Sequence, residues 1–181
     1  MINGVNIIWK EQIDYLGVQI NSAKHFVINL QRQRQKFFAA LNSIFSKVGL
    51  NSSPSVIISL VESYCTPILL YASECVPLTK SALDTLEKSM LQAYFKIFRT
   101  FDKSVALQCM YYMGQLPLEM KISIRKINFL TKLSKSNSLS LIAIFKSDNE
   151  IKEILTKFKI DSRSDLRQQF QSIFKQNLCI V

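Results

Sequence analysis

Apolar residues recur at three- and four-residue spacing along most of this chain, which predicts a mainly helical fold. From Phe26 to Val48, the residues Phe26, Leu30, Phe37, Leu41, Ile44, Phe45 and Val48 line one face of a long helix, and Gly49 ends it as a C-terminal cap. A second helix opens at Asn51-Ser52-Ser53-Pro54, with Ser53 capping and Pro54 in the first turn, and runs to about Tyr64, where Pro67 breaks or kinks it. Thr79 or Ser81 caps a third helix from about Lys80 to Phe101, with Leu83, Leu86, Met90, Tyr94 and Ile97 on one face. A shorter helix is expected from Asp102 to Tyr112, stopped by Gly114, and Pro117 starts another that extends to about Ser136. Beyond Asn137 the pattern predicts helices from Leu139 to Lys146, Asn149 to Phe158 and Ser162 to Asn177, the last capped by Ser162 or Ser164. The alternating charges from Asp148 to Ile160 are expected at a looser junction.

The N-terminus carries a different period. Val5 to Trp9 and Tyr15 to Ile20 are short β-favouring runs, and the polar stretch Lys10-Glu11-Gln12-Ile13-Asp14 between them predicts a hairpin.

At 181 residues and 48% apolar content, the chain can bury a sizeable core. The best candidate membrane segment, Val56 to Ala72, contains Glu62 and Pro67 and falls short of the ~20 residues a bilayer crossing needs. The first residues lack the pattern of a secretory signal, so an intracellular, nuclear or cytoplasmic, location and no membrane partner are expected. Cys65, Cys75, Cys109 and Cys179 have no metal-ligand spacing, and His25 is the only histidine. No metal and no cofactor are expected, and the thiols are expected to be reduced core residues.

The net charge of +10 changes the picture only through its placement. On a helical wheel Arg32, Lys36, Ser43 and Lys47 form a strip opposite the apolar face of the first long helix. Arg34 instead projects into the apolar stripe and is expected to be paired. Lys88, Gln92, Lys96, Arg99 and Lys103 repeat the arrangement on the third helix. Lys121, Arg125, Asn128, Lys132 and Lys135 follow one edge of the helix after Pro117, in a segment from Met120 to Ser147 that contains no acid. Three cation strips predict contact with a nucleic-acid backbone rather than base reading. The aromatic residues Phe37, Phe38, Phe45, Tyr94 and Phe98 lie within the apolar stripes and are assigned to the core, as is Trp9.

Three segments in fixed order carry a resemblance. They are Tyr15-Leu16-Gly17-Val18, the stretch from Tyr64 to Arg99 (YCTPILLYASECVPLTKSALDTLEKSMLQAYFKIFR), and Met113-Gly114-Gln115-Leu116-Pro117-Leu118-Glu119. Together they resemble the end of the palm and the thumb region of the reverse transcriptase of non-LTR (LINE-like) retrotransposons. In that family the apolar turn usually reads Tyr-Gly-x-Glu-x-Trp; here Ala72 stands for the Gly and Val76 for the Trp.

The resemblance implies a mainly α chain in which an N-terminal β-hairpin precedes a multi-helix, thumb-like bundle. Its parts would be a palm-end hairpin over residues 1–24, a helical thumb-like domain over 25–136 and a C-terminal helical extension over 137–181. Tyr15, Leu16, Gly17 and Val18 would form a primer-supporting strand. The cations would hold a template-primer duplex or RNA–DNA hybrid along its backbone. Gly17 would admit a close approach of nucleic acid.

A polymerase needs two carboxylates holding two metal ions. The resemblance puts these upstream of Tyr15, and the chain has no Asp-Asp pair. It is therefore expected not to be an enzyme by itself but a catalytically incomplete part of an RNA-directed DNA polymerase. Glu62, Glu74, Asp84 and Glu87 are scattered and assigned structural roles. Further partners would be the missing palm domain, or a second copy meeting this one through the hairpin. The competing reading is a domesticated helical protein-interaction module with no nucleic-acid role. A helix-turn-helix reader is disfavoured, because no short helix clusters Asn, Gln and Arg at its start.

Overall fold

The computed structural model describes residues 10–23, 27–49, 52–76, 78–136, 138, 140, 149–160 and 165–178. The chain is mainly helical, with an N-terminal antiparallel hairpin ahead of a helical bundle. The expected strand Val5 to Trp9, all but residue 140 of the helix from Leu139 to Lys146, the caps at Ser162 and Ser164, and Trp9, His25 and Cys179 lie outside the described residues.

The hairpin is phased differently from the sequence expectation. Its strands are β1 (Gln12–Tyr15) and β2 (Val18–Asn21), paired so that Tyr15 faces Val18, and the turn is Leu16-Gly17 rather than Lys10 to Asp14. Both turn residues have positive φ, 47° at Leu16 and 79° at Gly17. A two-residue hairpin of right-handed strands requires that combination, and Gly supplies half of it without strain. A third short strand, β3 (Val27–Ile28), adds antiparallel to β2. The first helix consequently begins later than the periodicity suggests, because residues 27–28 are committed to the sheet.

Helix α1 (Gln31–Val48) starts where Asn29 Oδ1 accepts from the Gln31 N–H at 2.9 Å, and ends at Gly49, whose φ of 79° turns the chain away. Asn29 also donates through Nδ2 to Gln19 Oε1 and through its backbone N–H to Gln19 O, which fastens β2 to the start of α1. Gln33, Phe37, Leu41 and Phe45 form the buried face.

The next helical stretch does not break at Pro67. It runs as α2 (Pro54–Leu60), a π-turn (Val61–Cys65) and α3 (Thr66–Leu69). Within the π-turn the Thr66 N–H reaches back five residues to Val61 O. Proline removes a donor and crowds the preceding turn, and widening that turn by one residue absorbs the misfit without ending the helix.

Helix α4 (Lys80–Phe98) is capped by Thr79, whose Oγ1 accepts from Ala82 N at 3.2 Å, and α5 (Lys103–Tyr112) by Asp102, which accepts from Ser104 N at 2.7 Å. Helix α6 (Leu118–Ser134) follows Pro117, which offers no capping side chain. Glu87 on α4 supplies the missing acceptor, taking the Glu119 N–H at 3.1 Å.

Helices α7 (Glu150–Phe158) and α8 (Leu166–Asn177) complete the bundle and pack on α6, with α8 also on α5. One apolar cluster runs from Phe37 on α1 through Met90 and Tyr94 on α4 to Phe170 and Phe174 on α8. Residues 149–160, expected at a looser junction, instead bury Ile151 and Ile160 and pair Glu150 with the buried Lys126. Phe37, Phe45 and Tyr94 are buried, and Phe38 and Phe98 are half-buried against them, as the periodicity indicates.

Candidate nucleic-acid interface

Tyr15, Leu16, Gly17 and Val18 are the tip of the hairpin, not a continuous strand. Leu16 is 73% exposed. A Cβ on Gly17 would meet only the Tyr71 ring, at 3.7 Å, an ordinary contact, so the glycine answers to its positive φ rather than to crowding. Tyr71, just beyond α3, holds the tip in place: its hydroxyl donates to Leu16 O at 2.6 Å. Its own carbonyl accepts from Gln33 Nε2 on α1 at 3.2 Å. A second tie joins Arg32 to Asp14 at 2.9 Å, with both side chains about half exposed.

Between the tip, α1 and α3 opens a cleft of about 400 Å³, lined by Gly17, Gln33, Lys36, Pro67, Ile68 and Tyr71. Lys36 is exposed and has no partner among the described residues. Arg32 and Lys47 lie on the same strip of α1, one turn before and three turns beyond Lys36. The cleft therefore combines a cationic rim, an aromatic wall and a small-residue lip.

The cations of α4 meet α1 at Lys96. Helices α1 and α4 run side by side in the same direction, because Arg34 Nε donates to Ser89 Oγ at 3.1 Å and Lys96 Nζ donates to Asn42 Oδ1 at 3.1 Å. The pairing expected for Arg34 is thus with Ser89 and, through NH1, Gln31. Lys96 also sits 4.4 Å over the Phe45 ring. Lys88 and Lys103 are exposed. Arg99, exposed, ends α4 in the left-handed region at φ 52°.

On α6 the strip divides. Lys121 is mostly buried and lies 2.6 and 2.7 Å from the two carboxylate oxygens of Glu62, which also accepts from Tyr94 OH at 3.4 Å. Burial pushes the Lys121 ammonium below the usual lysine range, and the Glu62 charge pulls it part of the way back. The Tyr94 phenol is raised, by burial first and by Glu62 second.

Arg125 grips Glu74 with two parallel hydrogen bonds, Nε to Oε2 at 3.2 Å and NH2 to Oε1 at 2.7 Å. Burial pushes the Glu74 carboxyl up, but hydrogen bonds from Arg125, its own backbone and Ser73 outweigh it and hold it below the usual carboxylate range. Lys132 and Lys135 are exposed. The acid-free run along α6 is thus met by acids from elsewhere: Glu62 and Glu74 precede it in sequence, and Glu150 follows it. Lys121 and Arg125 have structural partners, whereas Lys36 has none among the described residues.

Sequence reasoning missed Tyr71, which shapes the cleft. Its signal is its place directly before Ala72, whose φ of 59° turns the chain after α3. Among the described residues no cluster of His, Cys, Asp and Glu could hold a metal ion, and no helix is long and apolar enough to cross a membrane. Comparison with protein-family models, with curated proteins and with solved structures finds no match to this chain.

Proposed function

We propose that this chain is a nucleic-acid backbone-binding, thumb-like part of a non-LTR retrotransposon reverse transcriptase, without catalytic activity of its own. The observation that supports it is the cleft beneath the hairpin tip, where Gly17, the unpartnered Lys36 and the Tyr71 ring face a common opening. A phosphate backbone needs cations that are not already neutralised, together with room for the sugar to approach. Lys36 meets the first need, and Gly17 and Pro67 meet the second. Gln33, which lines the cleft, is buried and spends its Nε2 on Tyr71 O, so contact runs through the backbone and binding is sequence-tolerant.

The test is fluorescence anisotropy of the full chain with a labelled RNA–DNA hybrid over a salt series. Lys36→Gln should weaken binding and flatten the log–log salt slope by about one unit, the effect of losing one phosphate contact. Lys152→Gln, on the exposed side of α7, should change neither. Equal losses from the two variants would refute the cleft as the contact.

A second reading, a helical protein-interaction module, draws on the exposed apolar side chains Tyr15, Leu16 and Tyr64 near the same cleft. Its signature would be hybrid binding that is absent at every salt concentration.

A further inference from the structure

A separate cavity of about 330 Å³ lies on the other side of the π-turn. One wall is the π-turn and α3, with Glu62, Thr66, Pro67 and Leu70; the opposite wall is α6, with Lys121, Ile124 and Arg125. Gln115 and Leu116 close one end, and Arg167 on α8 stands at the rim.

Its charges are unevenly paired. Lys121, Arg125 and Arg167 face Glu62 in the lining; Glu74 is clamped on Arg125 and Glu87 acts on Lys121, which leaves Arg167 as the lining cation without an acid beside it among the described residues. Arg167 is exposed and has no partner among the described residues. Arg125 spends Nε and NH2 on Glu74, which leaves its remaining N–H groups without a carboxylate contact among the described residues. The floor carries an orphan. Thr66 is 3% exposed and its Oγ1 has no partner among the described residues, although a helical threonine hydroxyl ordinarily returns to the carbonyl one turn back. The π-turn displaces that carbonyl ladder, and π-turns recur where a helix has been reshaped around a site. Apart from Gln115 the remaining lining is apolar, the composition expected of a small-molecule site with a few placed polar groups.

We propose that this cavity binds a small organic carboxylate, its head group between Arg125 and Arg167 and its flat apolar body against Pro67, Leu70, Leu116 and Ile124. Arg167, with no acid beside it among the described residues, matches a monoanion. The volume holds a ring system of one or two rings and its head group.

The probe is 1-naphthoate, titrated into the full chain and read by the shifts of the Leu116 and Ile124 methyl signals. It should bind saturably, at least about tenfold more tightly than 1-naphthalenemethanol, which lacks the charge, or acetate, which lacks the rings. Arg167→Gln should weaken naphthoate by about tenfold with an unchanged circular-dichroism spectrum, and Arg167→Lys should restore part of the loss. Lys36→Gln, in the other cleft, should leave naphthoate affinity intact. Unchanged affinity in Arg167→Gln, equal binding of the neutral alcohol, or an equal loss in Lys36→Gln would each overturn the proposal. Phenyl phosphate binding more tightly than naphthoate would also overturn the carboxylate assignment, in favour of a phosphate monoester.

Discussion

Replacing Ala72 by glycine should make this protein more stable, a reversal of the usual effect of adding glycine. Ala72 holds φ at 59°, a conformation that costs a residue with a Cβ roughly 1–2 kcal/mol. The turn is fixed on both sides by Ser73 N to Leu70 O at 3.2 Å and Cys75 N to Ala72 O at 3.1 Å, so the residue cannot relax without losing contacts. Glycine removes the strain but gives the unfolded chain about 0.5–1 kcal/mol of extra entropy. The Ala72 methyl is only half-buried, so losing it costs less than the ~0.8 kcal/mol of a fully buried carbon.

The balance favours Ala72→Gly by about 0.5 kcal/mol, or a rise in melting midpoint of about 1–2 °C for a chain of this size. Ala72→Val should do the opposite and by more, because a β-branched side chain tolerates positive φ poorly. Both are read by urea titration, whose midpoint resolves a half-kilocalorie difference when the slope is unchanged. A destabilised Ala72→Gly variant would refute the strain argument, since the methyl would then be contributing more than the backbone costs.

Two further outcomes test the account of the core and the hairpin. Tyr71→Phe should loosen the hairpin, raising amide exchange across residues 12–21 while lowering global stability by no more than about 1 kcal/mol, because the hydroxyl bond to Leu16 is exposed; unchanged exchange would mean that the tip is held by other contacts. Burial first and the Glu62 charge second push the Cys65 thiol up to about 11, so its thiolate fraction at pH 8 is about a hundredfold below that of an ordinary thiol. In the native protein an aromatic disulfide reagent should therefore modify the exposed Cys75 well before Cys65, and labelling of Cys65 at the faster rate would show that the core opens there.

Much of the helical framework was legible because its punctuation is local. Thr79, Asp102, Gly49 and Gly114 act within a few residues of where they stand, and each delimits a helix as its chemistry dictates. The hairpin phase was not legible, because Leu16 is an unlikely turn residue and only Gly17 signalled the reversal. The long polar stretch before it was the more conspicuous candidate. The start of α1 was misread because the apolar period continues through residues that pair with β2 instead. The cation strips were the harder case. A helical wheel sees only one element, whereas the partners of Lys121 and Arg125 lie 59 and 51 residues away. The cleft was half visible: Gly17 and Lys36 were each singled out, but their meeting depends on Tyr71 and the path of the chain around Pro67.

The π-turn keeps α2 and α3 in angular phase. An α-helix advances about 100° per residue, so an extra residue would ordinarily turn one half of this stretch against the other, and the wider turn takes that residue up. Ile57 and Ile58 therefore meet the core before the turn, and Thr66 and Leu69 meet it after. Removing one residue between 61 and 65 would restore a regular α-turn with Ile57 and Leu69 still facing inward, whereas the same deletion within α1 would rotate its two halves by about 100° and carry buried side chains to the surface. Chain length is thus forgiving at this one place in the helical framework and strict elsewhere.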